Sequence, residues 1–304
     1  MQELTQPYYE VVFERDFLKK KGDAFQDFFA DIMEKGYPGG DFMRARPWGS
    51  AGDRKNDGYL RSRRTLFQVY APNEMTEREA LQKVNDDFRG ALPHWREFFD
   101  HWVFVHNSRN GLGPGVTKAI LELDKVQEGV DARSWGFNDL RSEIFRLAEA
   151  DVAALLGPAT TSTDFAQLGF DGLKTVLLAI SRQLAPAEPD LSPVPRGKVE
   201  MNRLSKNTEI LIGAGRRKSP LVRDFFAKFP DPQFGDDVVQ AFRERYQQLR
   251  STGRDPDRIF RDLMTFAGGD RVQDTGHQAA VLAVLAYLFD QCDIFERSAE
   301  AVAP

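Results

Sequence analysis

Four polar side chains of one segment could come together on a single face of a β-hairpin. The hairpin is predicted to turn at residues 61–64, so that Leu60 faces Thr65 and the two strands pair antiparallel. In this register the polar residues form two facing pairs, which are Asp57 with Gln68 and Lys55 with Tyr70. Because side chains alternate along a strand, all of them share one face. The segment therefore predicts a carboxylate, an amide and a cation at one place, and a slip of one residue would separate them.

These groups match the needs of metal-dependent phosphodiester cleavage. Such cleavage requires an acidic ligand for Mg²⁺, a second oxygen ligand and a cation near the attacked phosphate, all on rigid strands. Asp57 and the side-chain carbonyl of Gln68 can serve as the metal ligands. Tyr70 stands two residues after the second ligand, where a lysine is expected, so Lys55 is the candidate stand-in cation. The alternative is a solvated hairpin with ordinary surface charge, in which Asp57 and Gly58 favour a turn.

Positive charge gathers around the same hairpin. The net charge of the chain is −5, which argues against nucleic-acid binding over its whole surface. Between residues 44 and 64, however, seven basic residues stand against two acidic ones, so a local phosphate-binding site agrees with the sequence. The candidates for gripping a nucleic-acid backbone without sequence preference are Arg44, Arg46, Arg54, Arg63 and Arg64. The alternative is a set of solvated strand ends and turns.

The first half of the chain predicts an α/β domain at residues 1–157. Its elements alternate between helix and strand in the order expected of that class. The predicted ranges are 15–37 (helix), 41–48, 57–60 and 65–71 (strands), 76–90 (helix), 102–107 (strand), and 116–123 and 138–156 (helices). Thr76, followed three residues later by Glu79, predicts a capping box at the start of the helix at 76–90.

The second half predicts an all-helical domain at residues 158–304. Small and polar residues replace the periodic pattern at 157–164, and a proline-spaced linker is predicted at 185–196. The predicted helices are 165–184, 204–212, 221–228, 236–250, 256–266 and 278–295. The last of these is apolar nearly all round, which predicts either the central helix of a bundle or a surface for a partner.

Composition disfavours several classes of site and location. The single cysteine, Cys292, allows no internal disulfide, and the four histidines lack metal-ligand spacing. No run reaches the ~18–20 apolar residues of a membrane helix, and the N-terminal residues form no apolar signal region. These features favour a cytoplasmic protein. The loop predicted at 213–219, GAGRRKS, lacks Walker spacing, so a solvated helix end is favoured over a phosphate cradle.

Three short motifs in the first half carry a resemblance to a known family. They are GDAFQ (22–26) on a helix, NDGYL (56–60) and FQVYAP (67–72). Together they resemble the PD-(D/E)xK restriction-endonuclease-like nucleases, in the branch of bacterial anti-phage systems that includes CBASS effectors. The resemblance implies a restriction-endonuclease-like fold with a central mixed sheet and flanking helices. It also implies site roles for Gln26, Asp57 and Gln68, with Tyr70 in place of the family's lysine.

Two C-terminal segments carry a second resemblance. Residues 236–249 and 280–296 are similar to the carboxy-terminal domains of proteins in ABC-three-component systems. This similarity implies that the chain acts with an SMC-like ABC ATPase and a small middle component.

The sequence thus predicts a two-domain bacterial defence protein that cleaves DNA with Mg²⁺ or Mn²⁺. Asp57 and Gln68 are the expected ligands, Gln26 positions water or metal, and Lys55 supplies the cation. Activity is expected only in a homo-oligomer or a hetero-complex, because one shallow hairpin cannot enclose a duplex. One alternative is a catalytically silent module that binds nucleic acid or a partner. Another is an assembly subunit built around the last helix.

Overall fold

The chain divides into two compact units. In a computed structural model, the described residues are 5–45, 54–168, 170–181, 197–229, 233–268, 274–291 and 294–296. One unit spans residues 13–155, and the other combines residues 1–12 with 156–304. We call them the α/β unit and the helical unit. Within the described part of the chain, no helix is long and apolar enough to cross a lipid bilayer.

The α/β unit is built on a five-stranded sheet. The strands are β1 (Phe42–Arg44), β2 (Gly58–Leu60), β3 (Thr65–Tyr70), β4 (His101–His106) and β5 (Asp131–Trp135). The helices are α1 (Thr5–Lys19, of which residues 13–19 belong here), α2 (Asp23–Gly36), α3 (Glu77–Trp95), α4 (Pro114–Val126), α5 (Phe137–Phe145) and α6 (Glu149–Leu156). The strands lie in chain order, β1 to β3 antiparallel and β3 to β5 parallel. The sheet is therefore mixed, which confirms the predicted α/β class.

The two faces of the sheet bury alternate residues of each strand. On one face, Leu66, Trp102 and Phe104 belong to a buried apolar cluster with residues of α3 and α4. On the other, the ring of Phe67 lies 5.3 Å from that of Phe29 on α2. This alternation follows from the two-residue period of a strand. Neighbouring positions on β3 therefore face different helices.

Two predicted helices of this unit are each interrupted. The helix predicted at 15–37 is wrong, because α1 and α2 are separate. Gly22, immediately before α2, has φ of +50°, a positive value that glycine adopts readily and that lies outside the helical region. The helix predicted at 138–156 likewise consists of α5 and α6.

Other local predictions can be compared with the structure directly. The Thr76 cap is confirmed, since its hydroxyl accepts a hydrogen bond from the Glu79 N–H. The strand β5 was not predicted. Its sequence, DARSW, is largely polar because it forms an edge of the sheet and leaves several side chains exposed.

The described residues of the helical unit form helices and no strand, as predicted. The helices are α7 (Ser162–Gln167), α8 (Phe170–Ser181), α9 (Lys198–Met201), α10 (Lys206–Arg216), α11 (Ser219–Lys228), α12 (Phe234–Ser251), α13 (Pro256–Phe266) and α14 (Thr275–Asp290). The apolar α14 is buried on nearly every side and contacts α8, α10, α11 and α13. It is therefore the central helix. The linker predicted at 185–196 and Cys292 lie outside the described residues.

The predicted loop at 213–219 is largely helical. It contains the last turn of α10, and the guanidinium of Arg216 lies 2.7 Å from the Asp290 carboxylate on α14. The ammonium of Lys218 donates to the backbone carbonyls of Ala166 and Leu168. These cations therefore hold elements of the helical unit together.

We expect Gly215→Ala to destabilise the helical unit by about 2 kcal/mol or more. An added Cβ would lie 2.7 Å from the carbonyl carbon of Leu282 and 2.9 Å from the Cβ of Ala286, so α10 and α14 would have to separate. Gly213→Ala is the matched control on the same helix, because an added Cβ there meets nothing within 4 Å. It should be neutral or stabilise by up to about 1 kcal/mol. Urea unfolding followed by far-UV circular dichroism measures both, and equal effects would contradict the packing argument.

Candidate functional site

The pairing of β2 with β3 sets the position of Asp57. Leu60 pairs with Thr65 and Gly58 with Phe67, so the predicted hairpin register is confirmed over the length of β2. Asp57 precedes β2 and remains tied to the sheet, because its N–H donates to the Phe67 carbonyl at 3.0 Å. The residue is only 3% exposed. A carboxylate is therefore held inside the end of the hairpin.

The carboxylate of Asp57 is bound by two protein donors. Its Oδ2 accepts a hydrogen bond from the Val69 N–H at 2.7 Å, and its Oδ1 accepts one from Nε2 of Gln26 at 2.6 Å. Gln26 comes from α2, so the structure brings together two of the predicted site residues. Hydrogen bonds to an ionised carboxylate are stronger than neutral ones. This arrangement anchors α2 to the hairpin.

Two amide oxygens near Asp57 in sequence and register lack partners. Gln68 is 3% exposed and Asn56 is 2% exposed. Neither Oε1 of Gln68 nor Oδ1 of Asn56 has a hydrogen-bond partner among the described residues. A buried polar atom without a partner costs free energy and needs an explanation. These oxygens are the feature of the site that would suit a bound donor or cation.

Lys55 does not lie opposite Tyr70, so that part of the predicted register is wrong. Lys55 is outside β2 and has φ of +62°, which takes the chain off the extended path. Its ammonium lies 3.0 Å from the carboxylate of Asp87 on α3. Asp87 is fully buried and also pairs with Lys83. The candidate stand-in cation is therefore engaged by a different carboxylate.

Asp87 was missed by the reasoning from sequence, although a signal was present. Ala80, Val84, Phe88 and Ala91 are the buried apolar residues of α3. Asp87 falls on this same stripe, where a charge is costly unless it is paired. An acid on an apolar helical face thus indicated a buried ion pair.

Tyr70 packs as an aromatic side chain. Its ring centroid lies 5.9 Å from that of Phe104, on the face of the sheet that α3 covers. Burial raises the pKa of the Tyr70 phenol above its ordinary value, with a smaller contribution from Glu79. The side chain is therefore uncharged at neutral pH and supplies no positive charge.

Two of the predicted phosphate-binding arginines are paired with carboxylates. Arg44 forms ion pairs with Asp27, Asp31 and Glu34 of α2. Arg64 donates to Asp100 at 2.7 Å, and this hydrogen bond lowers the pKa of that carboxyl below its usual range.

Two of the remaining candidates have no carboxylate partner among the described residues. Arg54 and Arg63 are exposed, and Arg63 lies over the ring of Tyr37 at 5.4 Å. Arg46 lies outside the described part of the chain.

The cluster offers one carboxylate, that of Asp57, to a divalent cation. Mg²⁺ in proteins is usually held by one or two carboxylates and keeps several waters. Each oxygen of Asp57 accepts one hydrogen bond from a protein donor, and Gln26 presents an NH₂ group to it, so the other lone pair of each oxygen is the part that a cation could use. No group of three or more His, Cys, Asp or Glu side chains in the described ranges could hold a metal ion. The unpartnered oxygens of Gln68 and Asn56 are the observation that favours a cation.

His106 ends β4 beside Tyr70 of β3. The side chain is buried, and its Nδ1 accepts a hydrogen bond from the Ser108 N–H at 3.2 Å. Burial lowers the pKa of the imidazole from 6.5 to about 4. The histidine is therefore neutral near neutral pH and serves as a satisfied residue at the end of the strand.

We expect acid to destabilise the α/β unit through His106. The unfolded chain takes up this proton near pH 6.5 and the native unit only near pH 4, so stability falls as the pH drops through that window. By about pH 5 the loss due to His106 is about 2 kcal/mol.

All four tryptophans lie between residues 48 and 135, so tryptophan fluorescence follows the unfolding of this unit. Asparagine does not take up a proton, so the difference in free energy of unfolding between the wild type and His106→Asn should become smaller or change sign as the pH is lowered from about 8 to about 5. A constant difference would contradict the assignment.

Comparison with known proteins identifies the C-terminal part of the chain. Residues 171–296 match the family model of C-terminal domain 10 of the ABC-three component (ABC-3C) systems. The matched segment lies inside the helical unit. Neither the curated proteins nor the solved structures contain a match to the chain.

Proposed function

We propose that this chain, whose C-terminal domain indicates a component of an ABC-three-component anti-phage system, binds nucleic acid through its α/β unit without cutting it. One observation supports the absence of cleavage. The ammonium of Lys55 is paired with the buried Asp87, and Tyr70 is neutral, so the two side chains considered for the catalytic cation are a lysine engaged by another carboxylate and an uncharged phenol. Phosphodiester cleavage depends on positive charge that offsets the charge developing on the phosphate.

Exposed arginines around the hairpin support the binding part. Arg54, Arg61 and Arg63 are exposed, and no carboxylate in the described ranges pairs with them. Each guanidinium can therefore reach a phosphate without first breaking an ion pair. Arg44 differs, because three acids of α2 surround it. Such contacts bind the backbone and carry no sequence preference.

The test compares arginines that have no carboxylate partner among the described residues with Arg44, which has three. Fluorescence anisotropy of a labelled DNA duplex should show that Arg54→Gln with Arg61→Gln weakens binding by about 10-fold or more and lowers the salt slope by about 2. Arg44→Gln is the matched control and should leave both quantities nearly unchanged. Absence of DNA and RNA binding by the wild type, or equal losses in both variants, would refute the proposed interface.

A second candidate function is metal-dependent cleavage, favoured by the unpartnered oxygens of Gln68 and Asn56. In that case Asp57 and Gln68 are the ligands for Mg²⁺ or Mn²⁺, Gln26 positions the site, and the activity is that of a deoxyribonuclease. Isothermal titration calorimetry decides between the candidates. Cleavage requires heat of cation binding that is lost in Asp57→Asn, whereas the non-cleaving function predicts no such heat.

The helical unit is proposed to assemble with the other components of the system. These are an SMC-like ABC ATPase and a small middle component, and a homo-oligomer is the alternative assembly. The central α14 is buried within its own unit, so a partner would bind other surfaces of the unit. Co-expression with the neighbouring gene products, followed by light scattering, tests this assembly. A chain that elutes as a monomer beside unbound partners would contradict it.

A further inference from the structure

A separate pocket lies near the start of β3, whereas Asp57 is bound near the end of that strand, at Val69. It has a volume of about 410 Å³, which is within the ordinary range for small-molecule sites. Its walls come from the β2–β3 turn, the start of β4 and the edge strand β5. We call it the arginine pocket after its three arginines, which are Arg63, Arg64 and Arg133.

The charge of this lining is positive. The lining contains the three arginines and one carboxylate, that of Asp100. His101 adds a positive charge only when it is protonated. The Asp131 carboxylate is not part of the lining but contacts both His101 and Arg133. Three arginines against these two carboxylates leave a net charge of +1, so an anion matches the site better than a neutral ligand. A phosphomonoester carries about −1.5 to −2 charges at neutral pH.

Two of the guanidinium groups are already oriented. Arg64 uses Nε and Nη2 to bind Asp100 and the Glu97 carbonyl, and no described contact uses its Nη1. Arg133 contacts Asp131 through Nη2. A guanidinium has five N–H donors, so each retains donors for a ligand. Groups that are held in place before binding lose less entropy when the ligand arrives.

The apolar part of the lining comes from Phe67, Val103 and Trp135, on one face of the sheet. Phe67 is only 1% and Val103 only 2% exposed, so the half-buried Trp135 provides the accessible part. The rings of Phe67 and Trp135 meet edge to face, with centroids 5.2 Å apart. Such a surface favours a planar, weakly polar group over a second phosphate.

From this juxtaposition we infer that the arginine pocket binds a nucleoside monophosphate, with the phosphate at the arginines and the base against Trp135. The site overlaps the proposed nucleic-acid interface at Arg63, whereas Arg54 and Arg61 do not line it.

Isothermal titration calorimetry with the full chain and the four ribonucleoside 5′-monophosphates tests the inference. At least one nucleotide should bind. Adenosine lacks the phosphate and inorganic phosphate lacks the base, so each should bind at least about 10-fold more weakly than the nucleotide. Arg133→Gln, at an exposed edge-strand position, should weaken nucleotide binding about 10-fold or more. Arg78→Gln is the matched control on α3 and should change nothing.

Several results separate this inference from the proposed function. The Arg54→Gln with Arg61→Gln variant should lose DNA binding and retain nucleotide binding. A wild type that binds no nucleotide at millimolar concentration overturns the inference, and so does binding that survives both Arg133→Gln and Arg63→Gln. Inorganic phosphate binding as tightly as the nucleotides overturns it as well. A 5′-phosphorylated oligonucleotide that competes with the nucleotide supports the same phosphate site at the end of a nucleic acid.

Discussion

Asp57→Ala should lower the free energy of unfolding of the α/β unit by roughly 2–5 kcal/mol. The substitution removes the acceptor for two donors, the Val69 N–H and the Gln26 amide, in a site that is nearly inaccessible to water. Each buried donor left without a partner costs about 1–3 kcal/mol. The loss would also release α2 from the end of the hairpin. Asp57 is thus expected to be a structural residue whatever its chemical role.

Urea unfolding followed by tryptophan fluorescence measures this effect in the correct unit. Asp57→Asn retains one acceptor oxygen and should cost clearly less than the alanine variant. Asp31→Ala removes an exposed partner of Arg44 and should cost no more than about 1 kcal/mol. If Asp57→Ala is no more destabilising than Asp31→Ala, the described hydrogen bonds do not hold the hairpin.

Lys198→Met should destabilise the helical unit by roughly 3–5 kcal/mol. Lys198 is 2% exposed, and its ammonium donates to the backbone carbonyls of Phe289 and Ile294, each at 2.7 Å. The Phe289 carbonyl belongs to the last turn of α14, where a cation also interacts favourably with the helix dipole. Methionine nearly keeps the length of the side chain and removes the ammonium, so both carbonyls would lose this hydrogen bond in a buried site.

Far-UV circular dichroism and tryptophan fluorescence together locate this effect. Because every tryptophan lies in the α/β unit, Lys198→Met should shift the circular dichroism transition and leave the fluorescence transition nearly unchanged. Lys206→Met is the control on α10, where the side chain is largely exposed, and should cost less than about 0.5 kcal/mol. A shift in the fluorescence transition alone would contradict the assignment of Lys198 to the helical unit.

Periodicity predicted the class of each half of the chain because apolar spacing is a local property. The strand at 102–107 and the apolar α14 followed from unbroken runs of buried residues. Interruptions were harder to predict, since Gly22 and the break after α5 change backbone conformation without disturbing the apolar stripe. The edge strand β5 lacked an apolar run, because only one of its residues is fully buried.

The candidate site was predicted only where side chains follow strand register or a motif. The pairing of Leu60 with Thr65 followed from the turn length, and the motifs placed Gln26 and Asp57 in one site, where the structure brings their side chains into contact. Lys55 could not be placed, since its left-handed backbone and its ion pair with Asp87 depend on tertiary packing of α3. The predicted pairing of Lys55 with Tyr70 requires β2 to extend to Lys55, whereas the strand begins at Gly58.

The central claim is that the α/β unit binds nucleic acid and does not cut it. The most direct measurement incubates plasmid and linear DNA with the purified chain and Mg²⁺ or Mn²⁺, both alone and together with the products of the neighbouring genes. The account predicts intact DNA in every reaction, although the wild-type chain still binds it. Cation-dependent cleavage by the wild-type chain that disappears in a folded Asp57→Asn variant would contradict the account.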